Sequence, residues 1–328
     1  MDRRLPWVLI AAWLLTGAAG TAAIPAALHG HSTALIRTLG VEAVVAWTLV
    51  WVAMLIPRIT TLTAARIGVP AAVVVAGLTL ATGDQSVWAM LFVLAAVAAV
   101  AALANPVTID AFVDGSSYGP ERRFALRTPP LTALVAVPPT WIVAVALAVV
   151  PPFAVVGNLV VALIVAVAWV VTVRWAVRSL HLPARRWVVF VPAGMVLSDP
   201  LLLTDRVLFP RRNVAAIGPA YASTDATDLS QGAIGLALQL DLTEPFAIPL
   251  VDRTAPPDAA GEKTVSTDRI VFAVLRPGAL LAAAVDRRFT VGETRPAEPA
   301  CVHHAGADHR SSEESQTAVP LPRTRSSR

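Results

Sequence analysis

The sequence contains very little lysine, cysteine or tyrosine. Lys263 is the only lysine among 26 basic residues, Cys301 is the only cysteine, and there are two tyrosines. A single cysteine cannot form a disulfide within the chain, so nothing in the sequence indicates an oxidising compartment. The arginine bias, in a chain rich in alanine and valine, is typical of a GC-rich bacterial genome.

Charged residues are also scarce. They make up 15% of the chain, whereas hydrophobic residues make up 56%, above the roughly 45–50% that is usual in soluble domains. The net charge of +4 lies in residues 1–178, which hold ten arginines against six acidic residues. Nucleic-acid binding would need a basic stripe on the soluble part, and the residues after 178 carry no net charge. The composition therefore predicts a membrane protein with no nucleic-acid partner.

Long apolar runs dominate the first half of the chain. A helix needs about 20 apolar residues to cross a bilayer core of roughly 30 Å, and six runs of about this length are largely free of charge. They predict an α-helical membrane bundle with spans at residues 6–28, 41–57, 68–82, 86–104, 131–150 and 152–173. The third predicted span is the shortest, and Arg66 and Asp84 bracket it.

Basic residues alternate from loop to loop, and positively charged loops are retained in the cytoplasm. Arginines precede the first span, occupy the second and fourth loops and follow the sixth span, whereas the other three loops contain only Arg37. This pattern predicts that both termini lie in the cytoplasm of a bacterial plasma membrane. If the first apolar run were cleaved as a signal peptide, five spans would remain in the same orientation.

The predicted spans have no ionisable residue in their central portions, which disfavours a transporter built on buried carboxylates. Pro25, Pro70 and the Pro138–Pro139 pair interrupt the apolar runs, and discontinuous helices form the substrate sites of many transporters. A transporter or permease component for a small apolar or lipid-like solute is therefore the alternative function.

Residues 105–130 form the one long connection between predicted spans. Arg122 and Arg123 in this loop can bind lipid phosphates, pair with neighbouring acids or contact the soluble domain. An enzyme would have to use Asp110, Asp114 and Tyr118. No nucleophile and base occur there at a recognisable spacing, so the chain is not predicted to be an enzyme.

Residues 179–290 change to short segments with strand-like composition. Leucines at alternate positions from Leu236 to Leu242 show the period of two that is typical of a strand with one buried face. Further predicted strands are Trp187–Val191, Met195–Ser198, Leu201–Phe209, Asn213–Ile217, Phe246–Val251 and Arg269–Leu275. Pro277 starts a segment with helical spacing. The sequence thus predicts a small antiparallel β-rich cytoplasmic domain with a C-terminal amphipathic helix.

A curled sheet followed by one such helix resembles the pleckstrin-homology-like (PH-like) plan of bacterial membrane proteins. Most of residues 1–290 also resembles a family of uncharacterised actinobacterial multi-pass membrane proteins, on the segments SYGPERRFALRTP, RWVVFVPAG, VLFPRRNVAAIGPA and DLSQGAIGLALQLDL. The first resemblance implies a β-rich domain beside the membrane. The second implies no activity and no site residues.

Six arginines are the candidate contacts for anionic lipid headgroups or a protein partner. They lie in the long loop, directly after the sixth span and beside a predicted turn, where guanidinium groups can bind phosphate. These candidates are Arg122, Arg123, Arg185, Arg186, Arg211 and Arg212.

No metal site or cofactor is predicted. His29 and His31 have the spacing of a ligand pair but lack a third ligand, and the crowded Cys301, His303, His304 and His309 lie in a polar segment. Residues 291–328 are rich in Pro, Ser, Glu and Arg, which predicts a disordered tail. The leading hypothesis is a membrane-anchored interaction or regulatory protein whose β-rich domain binds a partner, the inner leaflet or its own long loop.

Overall fold

The computed structural model describes residues 6–82, 86–135, 138, 142, 159–252 and 262–296. Its helices include α1 (Trp7–Ala27), α2 (Thr33–Leu55), α3 (Ile59–Ala81), α4 (Val87–Ala104), α5 (Pro106–Asp114), α6 (Leu159–Ala184) and α7 (Pro277–Asp286). The first four are each long and apolar enough to cross a membrane. The described residues therefore contain four candidate spans, which make the chain a multi-pass membrane protein.

These four helices correspond to the first four predicted spans. The third differs most, because α3 begins at Ile59 and is 23 residues long, so that Arg66 lies inside the helix rather than ahead of it. α1 and α3 also continue through Pro25 and Pro70 without a break. Neighbouring helices let a membrane helix tolerate the hydrogen bond that proline removes.

The predicted fifth and sixth spans fall partly outside the described residues. Most of 131–150 is not described, and α6 overlaps only the later part of 152–173. Where α6 is described, Leu163, Val167 and Val171 are exposed apolar side chains, as expected of a helix that faces lipid. The fifth and sixth spans stay predictions.

Stacked tryptophans join α1 to α2. The ring centroids of Trp13 and Trp47 lie 6.4 Å apart, and those of Trp47 and Trp51 lie 6.0 Å apart. The Trp13 indole N–H donates to the Trp47 carbonyl at 3.2 Å, and the Trp47 indole N–H donates to the Trp13 carbonyl at 3.0 Å. Both indoles are thus satisfied where no water is at hand. Gly17 permits the approach, since a Cβ there would lie 2.7 Å from Trp47.

The described residues outside the long helices form two four-stranded sheets, which together with α7 we call the β unit. The strands are β1 (Arg122–Ala125), β2 (Trp187–Val191), β3 (Gly194–Ser198), β4 (Val207–Pro210), β5 (Val214–Pro219), β6 (Thr227–Asp228), β7 (Leu238–Val251) and β8 (Glu262–Phe272). The first sheet has the order β1-β2-β3-β4 and the second has the order β5-β7-β8-β6. All pairings are antiparallel except that of β6 with β8.

Most of the predicted strands are present, with three differences. The two predicted strands that began at Leu236 and Phe246 form one long strand, β7, with an irregularity between Asp241 and Phe246. The predicted strand Leu201–Phe209 is wrong in its first half, because the Asp199 carboxylate and carbonyl accept N–H bonds from residues 201–203 and hold them in a turn. The mixed pairing of β6 was not predicted.

The first sheet is covered on both faces. One face contributes Phe124, Phe190 and Phe209 to a core shared with the second sheet and α7. The opposite face contributes Trp187 and Val189 to a second core. That second core also contains residues from the ends of α1 to α4, namely Leu9, Trp13, Met54, Leu62 and Leu103. The β unit is therefore packed directly against the helix ends.

The strand that completes the first sheet comes from the long loop between the predicted fourth and fifth spans. β1 pairs along its length with β2, from Arg122 opposite Phe190 to Ala125 opposite Trp187. Of the partners considered for the β-rich domain, the loop 105–130 is thus one that it contacts. The sheet therefore extends beyond the predicted boundary of 179–290. A strand of only four residues is too short to show an alternating pattern in the sequence.

Two aspartates of α5 cover the outer edge of β1. The Asp114 carboxylate accepts the Arg123 N–H at 2.9 Å, and the Asp110 carboxylate accepts the Ala125 N–H at 3.0 Å. Their spacing of one helical turn matches the spacing of alternate strand residues closely enough for both bonds. An edge strand needs such cover, because unpaired N–H groups attract other strands.

The two sheets are joined at two corners. Leu126 forms a bridge with Val274, and Leu203 forms a bridge with Leu250. The segment 290–296 closes a third edge: the Ile217 N–H donates to the Thr290 carbonyl at 2.9 Å, and the Arg295 N–H donates to Asp241 at 2.7 Å. The first residues of the predicted tail therefore pack on β5 and β7, and 297–328 lie outside the described residues.

The Asp110 carboxylate that covers the edge of β1 predicts that the stability of the fold depends on pH. Burial raises the pKa of Asp110 from 3.8 to about 6, although the Ala125 N–H and Arg276 oppose the shift. The folded protein then holds more protons than the unfolded chain between these values, so the free energy of unfolding falls as the pH rises from about 4 to about 6, by about 3 kcal/mol at most.

We expect Asp110→Asn, which keeps an acceptor for the Ala125 N–H, to remove this dependence. The check is the denaturation midpoint of the full-length protein in detergent at pH 4.5 and pH 7, for wild type and variant. Identical pH profiles for the two proteins would contradict the assignment.

Candidate functional site: an arginine rim

Three segments of the β unit meet at one edge. The Arg287 guanidinium donates to the Pro120 carbonyl at 2.7 Å, and the Arg211 guanidinium donates to the Arg287 carbonyl. These bonds join the loop before β1, the turn after β4 and the end of α7. The arginines of these segments define the arginine rim, which consists of Arg122, Arg211, Arg212, Arg287 and Arg288.

Three of the rim guanidinium groups lie over phenylalanine rings. The Arg211 Cζ is 4.9 Å from the Phe289 ring centroid, and the Arg287 Cζ is 5.7 Å from that of Phe190. The Arg122 Cζ lies 5.2 Å from the Phe124 ring centroid. Cation–π contacts form within about 6 Å, so the aromatic core positions these charges at its border.

Positive charge is concentrated at the rim although residues 179–290 carry no net charge in the sequence. The rim segments contain only Glu121 and Asp286 as acidic residues. Other acids are used elsewhere, since Asp225 and Asp268 pair with Arg269 at 2.7 and 3.5 Å. Within the described residues, neither Arg211 nor Arg212 forms an ion pair.

The loop that supplies Pro120 begins at the helix ends. Gly115 packs against the connection between α2 and α3, where a Cβ would lie 2.1 Å from the Pro57 carbonyl oxygen. Pro120 follows Gly115 by five residues, a distance that even extended chain limits to roughly 17 Å. This loop therefore ties Pro120 to the connection between α2 and α3.

Arg186 is not part of this surface. It is 2% exposed, and its guanidinium donates to both oxygens of the buried Asp199 carboxylate at 2.8 and 2.6 Å. A third N–H donates to the Arg127 carbonyl at 2.7 Å. The prediction that Arg186 contacts lipid or a partner is corrected, because its guanidinium is buried in a bidentate ion pair with Asp199. This pair joins the start of β2 to the turn after β3.

The other predicted contact residues divide between two places. Arg122, Arg211 and Arg212 belong to the rim, as described above. Arg123 points to the opposite face of β1, with its Cζ 4.8 Å from the Trp187 ring centroid. Arg185 is exposed at the end of α6. The sequence analysis missed Arg287, although its place one residue after the amphipathic helix was a signal that it borders the core.

The residues considered for catalysis have other surroundings. Asp110 and Asp114 accept the N–H groups of β1, and Tyr118 is 86% exposed. Among the described residues, no three His, Cys, Asp or Glu side chains are grouped as a metal site would require. Cys301 and the histidines that follow it lie outside those residues.

Compared with known proteins, the chain matches no protein-family model, no curated protein and no solved structure. The resemblances to PH-like domains and to the actinobacterial membrane family therefore stay predictions.

The buried pair provides a test of the site's framework. Replacing Arg186 with methionine leaves Asp199 as an uncompensated buried charge, which costs about 3–5 kcal/mol. The matched control is Arg185→Met, which removes the same charge from an exposed neighbour. We expect Arg186→Met to lower the denaturation midpoint of the purified protein strongly and Arg185→Met to leave it almost unchanged. Equal midpoints for the two variants would contradict the burial of this pair.

Proposed function

We propose that this chain is a membrane-anchored interaction protein whose PH-like β unit binds anionic headgroups of the inner leaflet. The arginine rim carries this proposal, because it gathers five basic residues and only two acidic ones at one edge of the β unit. Each basic residue near an anionic surface contributes about 1 kcal/mol of attraction. Five such residues are enough to favour anionic lipids around the protein.

The architecture of the β unit supports the PH-like assignment. Two sheets meet at corners, and α7 buries Leu280, Ala283 and Ala284 in the core between them. The sequence predicted one curled sheet followed by a helix that can cap it, and two sheets capped by α7 are compatible with that plan. The packing of this unit on the ends of α1 to α4 holds the rim in a fixed position relative to those helices.

The charges of the loops support a cytoplasmic position for the β unit. Arg58 lies at the start of α3, in the same connection that Gly115 contacts. The rim adds five further arginines. Basic segments are retained in the cytoplasm, where the leaflet carries anionic lipids. Binding to inner-leaflet headgroups therefore requires that the β unit lies in the cytoplasm.

Transport remains the alternative function. The described helices give it no specific support, since α1 and α3 pass through Pro25 and Pro70 as continuous helices, whereas transporter sites are typically formed by discontinuous ones.

Headgroup binding is tested by native mass spectrometry of the delipidated protein with phosphatidylglycerol. We expect Arg211→Gln and Arg212→Gln each to weaken binding about fivefold at low salt, as the loss of one surface charge implies. Lys263→Gln, which removes a charge from the second sheet, is the control and should have little effect. Binding that no rim variant weakens would exclude the rim as the headgroup surface.

Orientation is tested with a single reporter cysteine. In a Cys301→Ser background, Tyr118→Cys places a thiol on the exposed loop beside the rim. A membrane-impermeant maleimide should label it in inverted membrane vesicles and leave it unlabelled in intact cells. Labelling of intact cells would place the loop outside and remove the basis for inner-leaflet binding.

A further inference from the structure

A second group of basic residues lies where the end of α6 meets the start of α3. Arg174, Arg178, His181 and Arg185 follow one another at steps of four, three and four, so they form one stripe along α6. The stripe contacts α3 at His181, because a hydrogen bond of 3.2 Å joins its Nδ1 to the Thr63 hydroxyl. The basic face of α6 therefore borders α3.

The same contact fixes the level of Arg66. α3 begins and α6 ends at the β unit, since residues from both ends belong to the second core, so the two helices run in opposite directions. Arg66 lies one turn beyond Thr63 on α3, and Arg178 lies one turn before His181 on α6, each about 4.5 Å farther along its helix. Arg66 and Arg178 are thus level with each other. We call the junction formed by these four residues the α3–α6 cleft.

Neither helix supplies an anion to this cleft. The segments 59–81 and 159–184 contain no Asp or Glu. Among the residues that the structure describes, Arg66 and Arg178 form no ion pair and donate no hydrogen bond. Arg66 is half-buried and lies seven residues inside the candidate span α3, about 10 Å from its start. A charge inside a span is costly and typically marks a functional contact, so Arg66 needs an anion from elsewhere.

The polarity of the α6 stripe changes along the helix. Val167 and Val171 precede Arg174 at steps of four and three, so they extend the same stripe away from the β unit. Both are exposed apolar side chains. One exposed face of α6 thus presents apolar residues and then arginines, which is the order of polarity of an acyl chain and its phosphate.

We propose that Arg66 and Arg178 bind the phosphate of an anionic phospholipid in the α3–α6 cleft, with an acyl chain along Val167 and Val171. Guanidinium groups match phosphate oxygens with paired N–H donors, and basic pockets between membrane helices bind phospholipid headgroups. This inference goes beyond the proposed function, because the site uses no residue of the rim and places the lipid among the membrane helices.

The test separates the cleft from the rim by salt. The delipidated full-length protein is titrated with phosphatidylglycerol in about 1 M ammonium acetate, where the Debye length is about 3 Å, and the bound lipid is counted by native mass spectrometry. We expect Arg66→Gln and Arg178→Gln each to weaken binding at least tenfold, since each removes a charge-assisted hydrogen bond. Arg37→Gln, at the far end of α2, and Arg212→Gln, in the rim, are the controls and should bind like wild type.

A double variant tests whether the two arginines bind one phosphate. If they do, Arg66→Gln combined with Arg178→Gln should lose little more affinity than either single variant, because residues that share a ligand are not additive. Arg178 is exposed, so its replacement should leave the denaturation midpoint unchanged. Arg66→Lys keeps the charge without the paired donors, and it should weaken binding less than Arg66→Gln at an unchanged midpoint.

Four results would overturn the cleft site. They are wild-type affinity in Arg66→Gln and Arg178→Gln, losses that multiply in the double variant, equal binding of phosphatidylcholine, and equal binding of inorganic phosphate without a lipid. None of them decides the headgroup proposal, which depends on the rim variants at low salt. Conversely, rim variants without effect at low salt would remove that proposal and leave the cleft site standing.

Discussion

The pairing of β1 with β2 is the interaction on which the rest of the structure depends. β1 comes from the loop that follows α4 and α5, and β2 begins directly after α6. A strand pair between these segments joins the β unit to α5 on one side and to α6 on the other. Without it, the first sheet would lose its edge strand, and the rim would lose the segment that carries Arg122.

Buried polar groups then hold this arrangement in one register. Asp110 and Asp114 accept the outward N–H groups of β1, and Arg186 and Asp199 pair beside the next strand. Groups of this kind add little to net stability, but leaving any one of them without its partner is costly. They therefore favour a single docked arrangement of the loop, and the position of the rim follows from it.

Local patterns predicted much of the fold. Apolar runs predicted the four described candidate spans, short runs rich in β-branched and aromatic residues predicted β2 and β3 almost to the residue, and the spacing after Pro277 predicted α7. These features depend on residues close together in the chain. β1 was missed because its partner lies more than sixty positions later, and its own four residues show no distinctive period.

The candidate site was predicted in part. Arg122, Arg211 and Arg212 were identified as cations near turns, but their convergence with Arg287 depends on packing that the sequence does not display. The balance of charge along residues 179–290 concealed the rim, because a sum over a segment says nothing about where its charges lie. Arg186 was predicted to be a surface contact because the sequence does not show that Asp199 neutralises it in the folded protein.

Hydrogen exchange of β1 in the full-length protein, held in lipid nanodiscs, tests the central claim most directly. If β1 is a strand of the sheet with its outer edge covered, the N–H groups of Arg123 and Ala125 should exchange as slowly as those of β2. Exchange as fast as in the exposed loop around Tyr118 would mean that the loop is free and that the β unit is not fixed to the helices by this strand.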